Sequence, residues 1–390
     1  MTSRTFAGAF VLLAFGLCAA RPAQADSIAV MTSDLQALQV KIANGDRDAY
    51  ASQTEHLKAI GAAIEAAKPE AWQVKSETDA VVIYLLSGGR TRDIIQLLQS
   101  GSVPQSETPL MRGALAYIVG DATQARTLLG DIDPRTLDLR LAGQIAFAQS
   151  VLAGPKDAKK ATALLDLARL LAPGGLVEEA SLRREIALVA DQHDTDRFAV
   201  LSRQYAMRFG RSVYADRFLR GLANIALGAK LIGDVPSFQK FHAFVTSLTP
   251  ATRSHFLLTV ARAEVVDGNF AVAGAASGEA LQEAAGDSPE EARGKLYESS
   301  VRLLTPDYDK GLAELQGVAE AQLDNRDQAL LGAVRNIATY LRQPMIEPPN
   351  GSPAPAAKGG DDPVAATIAL ADDVLSRTAG QSGAAGKGDP

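Results

Sequence analysis

Hydrophobic residues along most of the chain recur at intervals of three and four, the spacing that places them on one face of an α-helix. The pattern is clearest at Leu164, Leu165, Leu167, Leu170 and Leu171 and at Phe198, Leu201, Tyr205 and Phe209. Residues 81–86 (VVIYLL) are the best candidate for a strand, but they continue a helical pattern from Trp72 and end before Gly88 and Gly89. We interpret them as the buried half of a helix. The sequence therefore predicts an all-α chain.

Short breaks divide this helical pattern into units. They fall at Gly88-Gly89, Gly120-Asp121, Gly154-Pro155, Gln192-His193, Gly233-Asp234 and Gly268-Asn269. Intervals of about 30 to 40 residues between breaks are typical of helix-turn-helix repeats. Units of such an array contact only their neighbours, so the array is expected to flex.

Three stretches resemble the tetratricopeptide pattern, in which small residues let two antiparallel helices approach closely. The matching positions are Gly113, Gly120, Ala125 and Leu129, then Ala161, Leu165, Ala168 and Pro173, then Val260, Ala261, Gly268, Ala273 and Ala280. No unit is complete. We predict an irregular tetratricopeptide-like helical-hairpin repeat solenoid with a disordered C-terminal tail, and an irregular helical bundle is the alternative.

The two ends of the chain differ from this body. Residues 26–68 predict an N-terminal helical hairpin or cap, and residues 69–343 predict the helical-repeat body. Residues 344–390 are rich in Pro, Gly and Ala, a composition that cannot form a packed core. Within this tail, Val364, Ile368, Ala371 and Leu375 lie at helical spacing. They predict a short helix over 363–378 that either docks on a partner or forms transiently in a linker.

The first 25 residues have the pattern of a cleavable secretory signal. Arg4 supplies positive charge, residues 6–17 are apolar, and residues 23–25 (AQA) form a small-x-small cleavage site. We predict that residues 1–25 are removed on export. Two alternatives stay open. One is lipidation at Cys18, although Leu17 stands where a small residue is required, and the other is an uncleaved anchor.

Removal of the signal changes the composition in two ways. It removes Cys18, the only cysteine of the chain, so the mature protein has no disulfide and no thiol nucleophile. It also takes the formal net charge from -6 to -8, because Arg4 and Arg21 lie within it. An acidic chain is not expected to bind nucleic acid or insert into anionic lipid.

A search for catalytic chemistry finds little. The histidines His56, His193, His242 and His255 are scattered and lack the spacing of metal ligands, although His242 and His255 could face each other across a hairpin. Nucleophile-elbow and phosphate-cradling motifs are absent. Carboxylate pairs such as Glu178-Glu179 and Glu290-Glu291 are typical of the first turn of a helix. We predict no enzyme activity, no cofactor and no metal.

Residues 196–222 form a locally positive segment in which arginines alternate with aromatic residues. Arginine and aromatic residues are enriched at the energetic centres of protein interfaces. The candidate partner-binding residues are Arg203, Tyr205, Arg208, Arg211, Tyr214 and Arg217. If Arg208 belongs to an interface, Arg208→Glu is expected to leave folding nearly intact. In the alternative, the aromatics fill the core and the arginines bond to carboxylates of neighbouring helices.

The same region resembles a known family. Residues 180–186 (ASLRREI), 203–205 (RQY), 208–209 (RF) and 214–218 (YADRF) resemble MotC, a family of periplasmic motility proteins of alphaproteobacterial flagellar motors. The resemblance covers residues 26–341. It implies a non-enzymatic accessory protein, located in the periplasm, that binds the periplasmic part of the stator protein MotB and supports motility or modulates rotation.

Two other functions are weighed beside this one. A general periplasmic helical-repeat scaffold or chaperone adaptor would differ only in its partner. An envelope glycan-acting enzyme would need a separate catalytic domain, and the chain after Leu341 has the composition of a linker.

Overall fold

A computed structural model describes residues 27–154 and 157–342, and over these residues the chain is all-helical. The helices of the first half are α1 (Ile28–Ala43), α2 (Arg47–Ala66), α3 (Lys75–Leu86), α4 (Thr91–Gln99), α5 (Thr108–Val119), α6 (Ala122–Leu129), α7 (Leu139–Ala153), α8 (Ala158–Leu171) and α9 (Leu176–Asp191). Those of the second half are α10 (Thr195–Phe209), α11 (Ala215–Gly228), α12 (Val235–Gln239), α13 (His242–Val245), α14 (Pro250–Asp267), α15 (Phe270–Glu283), α16 (Pro289–Arg302), α17 (Tyr308–Gln316) and α18 (Asn325–Leu341). Short 3₁₀ helices lie at Pro69–Gln73, Pro134–Thr136 and Glu320–Gln322.

The signal predicted at 1–25 and the tail predicted at 344–390, with its short helix at 363–378, lie outside the described residues. Within the described part of the chain, no helix is both long enough and apolar enough to cross a membrane.

Consecutive helices pack as hairpins. The pairs are α1 with α2, α5 with α6, α7 with α8, α9 with α10, α14 with α15, and α16 with α17. The breaks predicted from the sequence fall after α3, α5, α7, α9, α11 and α14, and those after α5, α7, α9 and α14 lie between the two helices of a pair. The all-α fold and its division into helical hairpins are confirmed, and the arrangement is consistent with a helical-hairpin repeat solenoid.

Aspartate begins the second helix of most of these units. The Asp46 carboxylate accepts a hydrogen bond from the Ala49 backbone N–H, and the same bond forms at Asp121, Asp157, Asp194 and Asp234. Each cap satisfies a backbone donor that the first turn leaves without a partner, and each contributes about 1 kcal/mol. Gly-Asp dipeptides at 45–46 and 120–121 therefore encode both the end of one helix and the start of the next.

Small residues bring paired helices close together. A Cβ placed on Gly113 of α5 would lie 2.6 Å from the Leu129 side chain of α6. At Gly143 of α7, a Cβ would lie 2.5 Å from the Cβ of Ala172, just after α8. Residues 81–86, the best strand candidate, are helical and largely buried, because α3 packs against α1, α5 and α7.

The N-terminal hairpin contacts more than its sequence neighbours. Helix α1 packs against α3 and also against α9. The turn at Gly45 meets the backbone of Arg211, and the Tyr50 ring of α2 packs edge-on against Tyr214 at 5.9 Å between centroids. We call these contacts of α1 and α2 with α9 and residues 211–214 the closure. The closure corrects the expectation that every unit contacts only its neighbours.

A buried carboxylate anchors the start of the last helix. Asp327 of α18 is fully buried and accepts hydrogen bonds from Arg262 of α14 and from Arg293 and Tyr297 of α16. Two guanidinium groups and a phenol compensate for the lost hydration of the carboxylate.

Candidate functional site

The segment of arginines and aromatics forms α10, a five-residue loop and α11. Its aromatic side chains belong mainly to the core: Phe198, Tyr205 and Phe209 are buried. The Tyr205 ring packs against Phe218 of α11 at 4.6 Å between centroids. The apolar spacing along α10 is thus explained by packing, as the alternative interpretation proposed.

Tyr205 is fully buried and so has no exposed surface to offer a partner. Its hydroxyl donates to Oε1 of Glu179 at 2.8 Å, and Glu179 is also fully buried. Burial and the adjacent carboxylate raise the pKa of Tyr205 well above its usual value. Tyr205 therefore joins α10 to α9, and it positions neighbouring residues instead of contacting a partner.

Arg208 has a structural partner as well. Its Nη2 lies 2.7 Å from Oε2 of Glu178, and the Glu178 side chain is 4% exposed while the Arg208 side chain is 46% exposed. The same Glu178 oxygen accepts the Gly174 backbone N–H. Charge reversal at Arg208 would place a second carboxylate against a buried one. The ion pair therefore argues against the expectation, held for an interface residue, that Arg208→Glu leaves folding nearly intact.

A third buried carboxylate of α9 completes this set. Glu185 is fully buried and accepts from Arg169 at 2.7 Å and from Arg197 at 2.6 Å. Helix α9 thus carries three buried glutamates that are held by side chains of α8 and α10. Sequence analysis placed Glu178 and Glu179 in the first turn of a helix, which is where they lie, but it did not find their partners.

Three of the predicted arginines remain available. Arg203, Arg211 and Arg217 are exposed, and their side chains form no hydrogen bond or ion pair with any described residue. We call them the arginine trio. They are exposed cations in a chain with an excess of acidic residues.

Arg217 of the arginine trio and Tyr214 both line a groove. A groove of about 480 Å³ runs along α11 between Arg183, Val213, Tyr214, Arg217, Phe218 and Ile225. The Arg183 guanidinium carbon lies 5.3 Å from the centre of the Tyr214 ring, a cation–π contact. Burial, together with the nearby Tyr50, raises the pKa of the Tyr214 phenol, so Tyr214 remains a neutral hydrogen-bond donor.

Arg183 is the residue of this groove that sequence reasoning missed. It lies in the run 180–186 that carries the family resemblance, but nothing in its spacing distinguishes it from Arg184. What marks it is its position, since it faces Tyr214 and forms no ion pair within residues 27–154 and 157–342.

The four histidines do not form a cluster with metal-ligand geometry in the described part of the chain. His242 lies in α13 and His255 in α14, where burial lowers the pKa of His255. Among the described residues, no three His, Cys, Asp or Glu side chains are placed to hold a metal ion together.

These features define a class of protein: an all-helical hairpin-repeat protein with a groove lined by arginine and aromatic side chains. The chain belongs to the MotC family, because residues 1–385 match the family described as chemotaxis protein MotC. It is 26% identical over 349 residues to the chemotaxis protein MotC of Rhizobium meliloti (strain 1021), across 89% of this chain and 80% of that protein. No solved structure matches the chain. The resemblance seen in the sequence is confirmed, and the chain is a chemotaxis or motility protein.

Proposed function

We propose that this protein is a non-enzymatic periplasmic accessory of the flagellar motor that binds the periplasmic part of the stator protein MotB and supports or modulates rotation. The observation that carries the proposal is the family match over nearly the whole chain. The exposed side chains of the arginine trio, of which Arg217 lines the groove along α11, are the contacts through which such binding would act.

The periplasmic location rests on the N-terminal pattern. Arg4, the apolar residues 6–17 and the small-x-small site at 23–25 have the pattern of a secretory signal, which supports export. The chain after residue 25 has no cysteine, so its folding does not depend on the redox state of the compartment.

The arginine trio suggests how the partner is recognised. Exposed guanidinium groups attract an acidic surface and raise the rate of association, and this attraction weakens as salt screens it. Tyr214 and Phe218 in the groove supply apolar area for the centre of the contact. Binding that favours one arrangement of the stator would shift its population and so change rotation.

A direct titration tests the proposal. The full exported chain is immobilised through a C-terminal tag and titrated with the periplasmic domain of its own host's MotB. We expect saturable binding that weakens with salt. Arg203→Glu and Arg217→Glu are each expected to weaken it about tenfold, which corresponds to about 1.4 kcal/mol.

The matched control is Arg135→Glu. Arg135 is 71% exposed and lies in a 3₁₀ helix outside the α10–α11 segment. Its reversal changes the net charge equally and should leave the affinity unchanged. Deletion of the gene should alter swimming in the native host. Unchanged swimming together with an absence of binding would rule out the proposed function.

A further inference from the structure

A second cavity, of about 300 Å³, lies among the first helices of five successive units. Helices α1, α3, α5, α7 and α9 contribute to its wall, together with α2 and the loop before α11. Arg183 and Tyr214 line both this cavity and the groove along α11, so the two spaces adjoin. The volume is at the lower end of the range for small-molecule sites.

Buried amides line one side of this cavity. Gln39 and Gln144 are each only 7% exposed. The Gln144 Nε2 donates to the Ser87 hydroxyl at 3.1 Å, but its Oε1 accepts no hydrogen bond from any described residue. The Oε1 of Gln53, also in the wall, is buried and without a donor in the same way. Because a buried acceptor without a donor costs free energy, these oxygens favour a ligand that carries N–H or O–H groups.

The charge of the cavity wall also restricts which ligand fits. Arg183 is its only charged residue, and the guanidinium forms no ion pair with a described residue. A guanidinium fork matches the two oxygens of a carboxylate. The wall also has apolar residues, among them Leu86, Phe147 and Leu176.

We infer that this cavity binds a short peptide that ends in a free carboxylate. The carboxylate would pair with Arg183, the glutamine amides would bond to the peptide backbone, and an apolar side chain would lie against Phe147 and Leu176. A glutamine amide both donates and accepts, as a peptide bond does. Inorganic phosphate or sulfate would offer few or no donors to the two glutamine oxygens, so a simple oxyanion fits this wall poorly.

Equilibrium dialysis with mass spectrometry tests the inference. The full chain is dialysed against a defined pool of N-acetylated tripeptides with free carboxylates, and separately against the same pool as C-terminal amides. We expect tripeptides with apolar side chains to be enriched with the protein, and their amides to be enriched at least tenfold less.

Two variants locate the site. Arg183→Met should reduce the enrichment at least tenfold, whereas Arg184→Met, the next residue of α9 but outside the cavity wall, should not. Gln144→Leu should also abolish enrichment, yet its unfolding temperature should match or exceed that of the parent chain, because the unpaired oxygen is removed. A merely structural Gln144 would give a lower unfolding temperature.

A last experiment distinguishes a free peptide from the C-terminus of a protein as the source of the carboxylate. The best tripeptide is attached to the C-terminus of a carrier protein: retained binding identifies a protein C-terminus as an acceptable ligand, and lost binding restricts the site to free peptides. Equal enrichment of amides and acids, or enrichment that survives Arg183→Met, would overturn the inference. The dialysis contains no stator protein, so its result is independent of the proposed function.

Discussion

At the scale of single residues, helix α9 has an unusual content of buried charge. Glu178, Glu179 and Glu185 are each 3% exposed or less. A buried carboxylate is tolerated only when hydrogen bonds and opposite charge replace the water that it loses. Arg208 supplies that replacement at Glu178, and the pair Arg169 and Arg197 supplies it at Glu185. At Glu179 the Tyr205 hydroxyl donates to Oε1, while the buried Oε2 has no donor among the described residues. These pairs orient α9, whose Arg183 lines both the groove along α11 and the cavity of about 300 Å³.

Arg208→Glu is the sharpest test of this ion-pair arrangement. The substitution removes the partner of buried Glu178 and adds a like charge beside it. We expect a loss of about 1 to 3 kcal/mol in the free energy of unfolding, moderated because Arg208 is half-exposed. Urea unfolding followed by circular dichroism measures it. Arg203→Glu on the same helix, without an ion pair, should stay within about 0.5 kcal/mol of the parent. Equal effects of the two variants would contradict the assigned role of Arg208.

The raised pKa of Tyr205 leads us to expect that the protein loses stability at alkaline pH. Its pKa is raised in the folded state by burial and by Glu179, so the folded protein keeps the phenol proton at a pH where the unfolded chain loses it. The unfolded state therefore binds fewer protons, and stability falls as pH rises above about 10, the usual tyrosine pKa. Tyr205→Phe should show a shallower fall over that range in urea unfolding. Phe209→Leu, which is destabilised but keeps the phenol, should fall as steeply as the parent, and parallel curves for all three proteins would refute the assignment.

At the scale of helices and turns, local chemistry made much of the fold predictable. Glycine followed by aspartate at 120–121 places a helix stop next to an N-cap, and Asp234 of the pair 233–234 begins α12. Both turns occur where the sequence indicated. Small residues such as Gly113 were correctly assigned to the contact between paired helices. The arginine segment was found as well, but its division into buried and exposed members depends on where α9 lies, which no local pattern specifies.

Gly143 tests the close approach of α7 and α8. A methyl group there would meet the Ala172 Cβ at 2.5 Å and the Ala168 carbonyl oxygen at 3.2 Å, so the helices must separate. We expect Gly143→Ala to cost about 1 to 3 kcal/mol in thermal or urea unfolding. Gly332→Ala in α18 is the same substitution at an exposed helical site with nothing within 4 Å. It should stabilise by about 0.5 to 1 kcal/mol, because alanine loses less backbone entropy than glycine. The same sign for both variants would argue against close packing at Gly143.

At the scale of residues 27–335 as one compact unit, the closure joins segments that are distant in sequence. Gly45 meets Arg211, and Tyr50 meets Tyr214. Such contacts leave no periodic signal, which is why the sequence predicted an array of neighbours and missed the cavity. The closure also assembles that cavity, because Gln39 and Gln53 come from the N-terminal hairpin while Gln144 and Arg183 come from α7 and α9.

Gly45→Ala should therefore disturb the closure and loosen α9 and residues 211–214. Gly45 has φ +96°, which disfavours a side chain, and a Cβ there would overlap the Arg211 carbonyl oxygen. Gly120, at the end of α5, also has a positive φ (+86°), so Gly120→Ala carries the same backbone strain. Nothing lies within 4 Å of its added methyl group, so it adds no overlap. Both variants should lose about 1 kcal/mol from backbone strain. Only Gly45→Ala should accelerate amide hydrogen exchange in α9 and in residues 211–214, and only Gly45→Ala should weaken tripeptide binding in the dialysis. If exchange in α9 were as slow in Gly45→Ala as in Gly120→Ala, the contact of the N-terminal hairpin with residues 211–214 would not stabilise α9. Gln39 and Gln53 would then line the cavity without holding α9 in place.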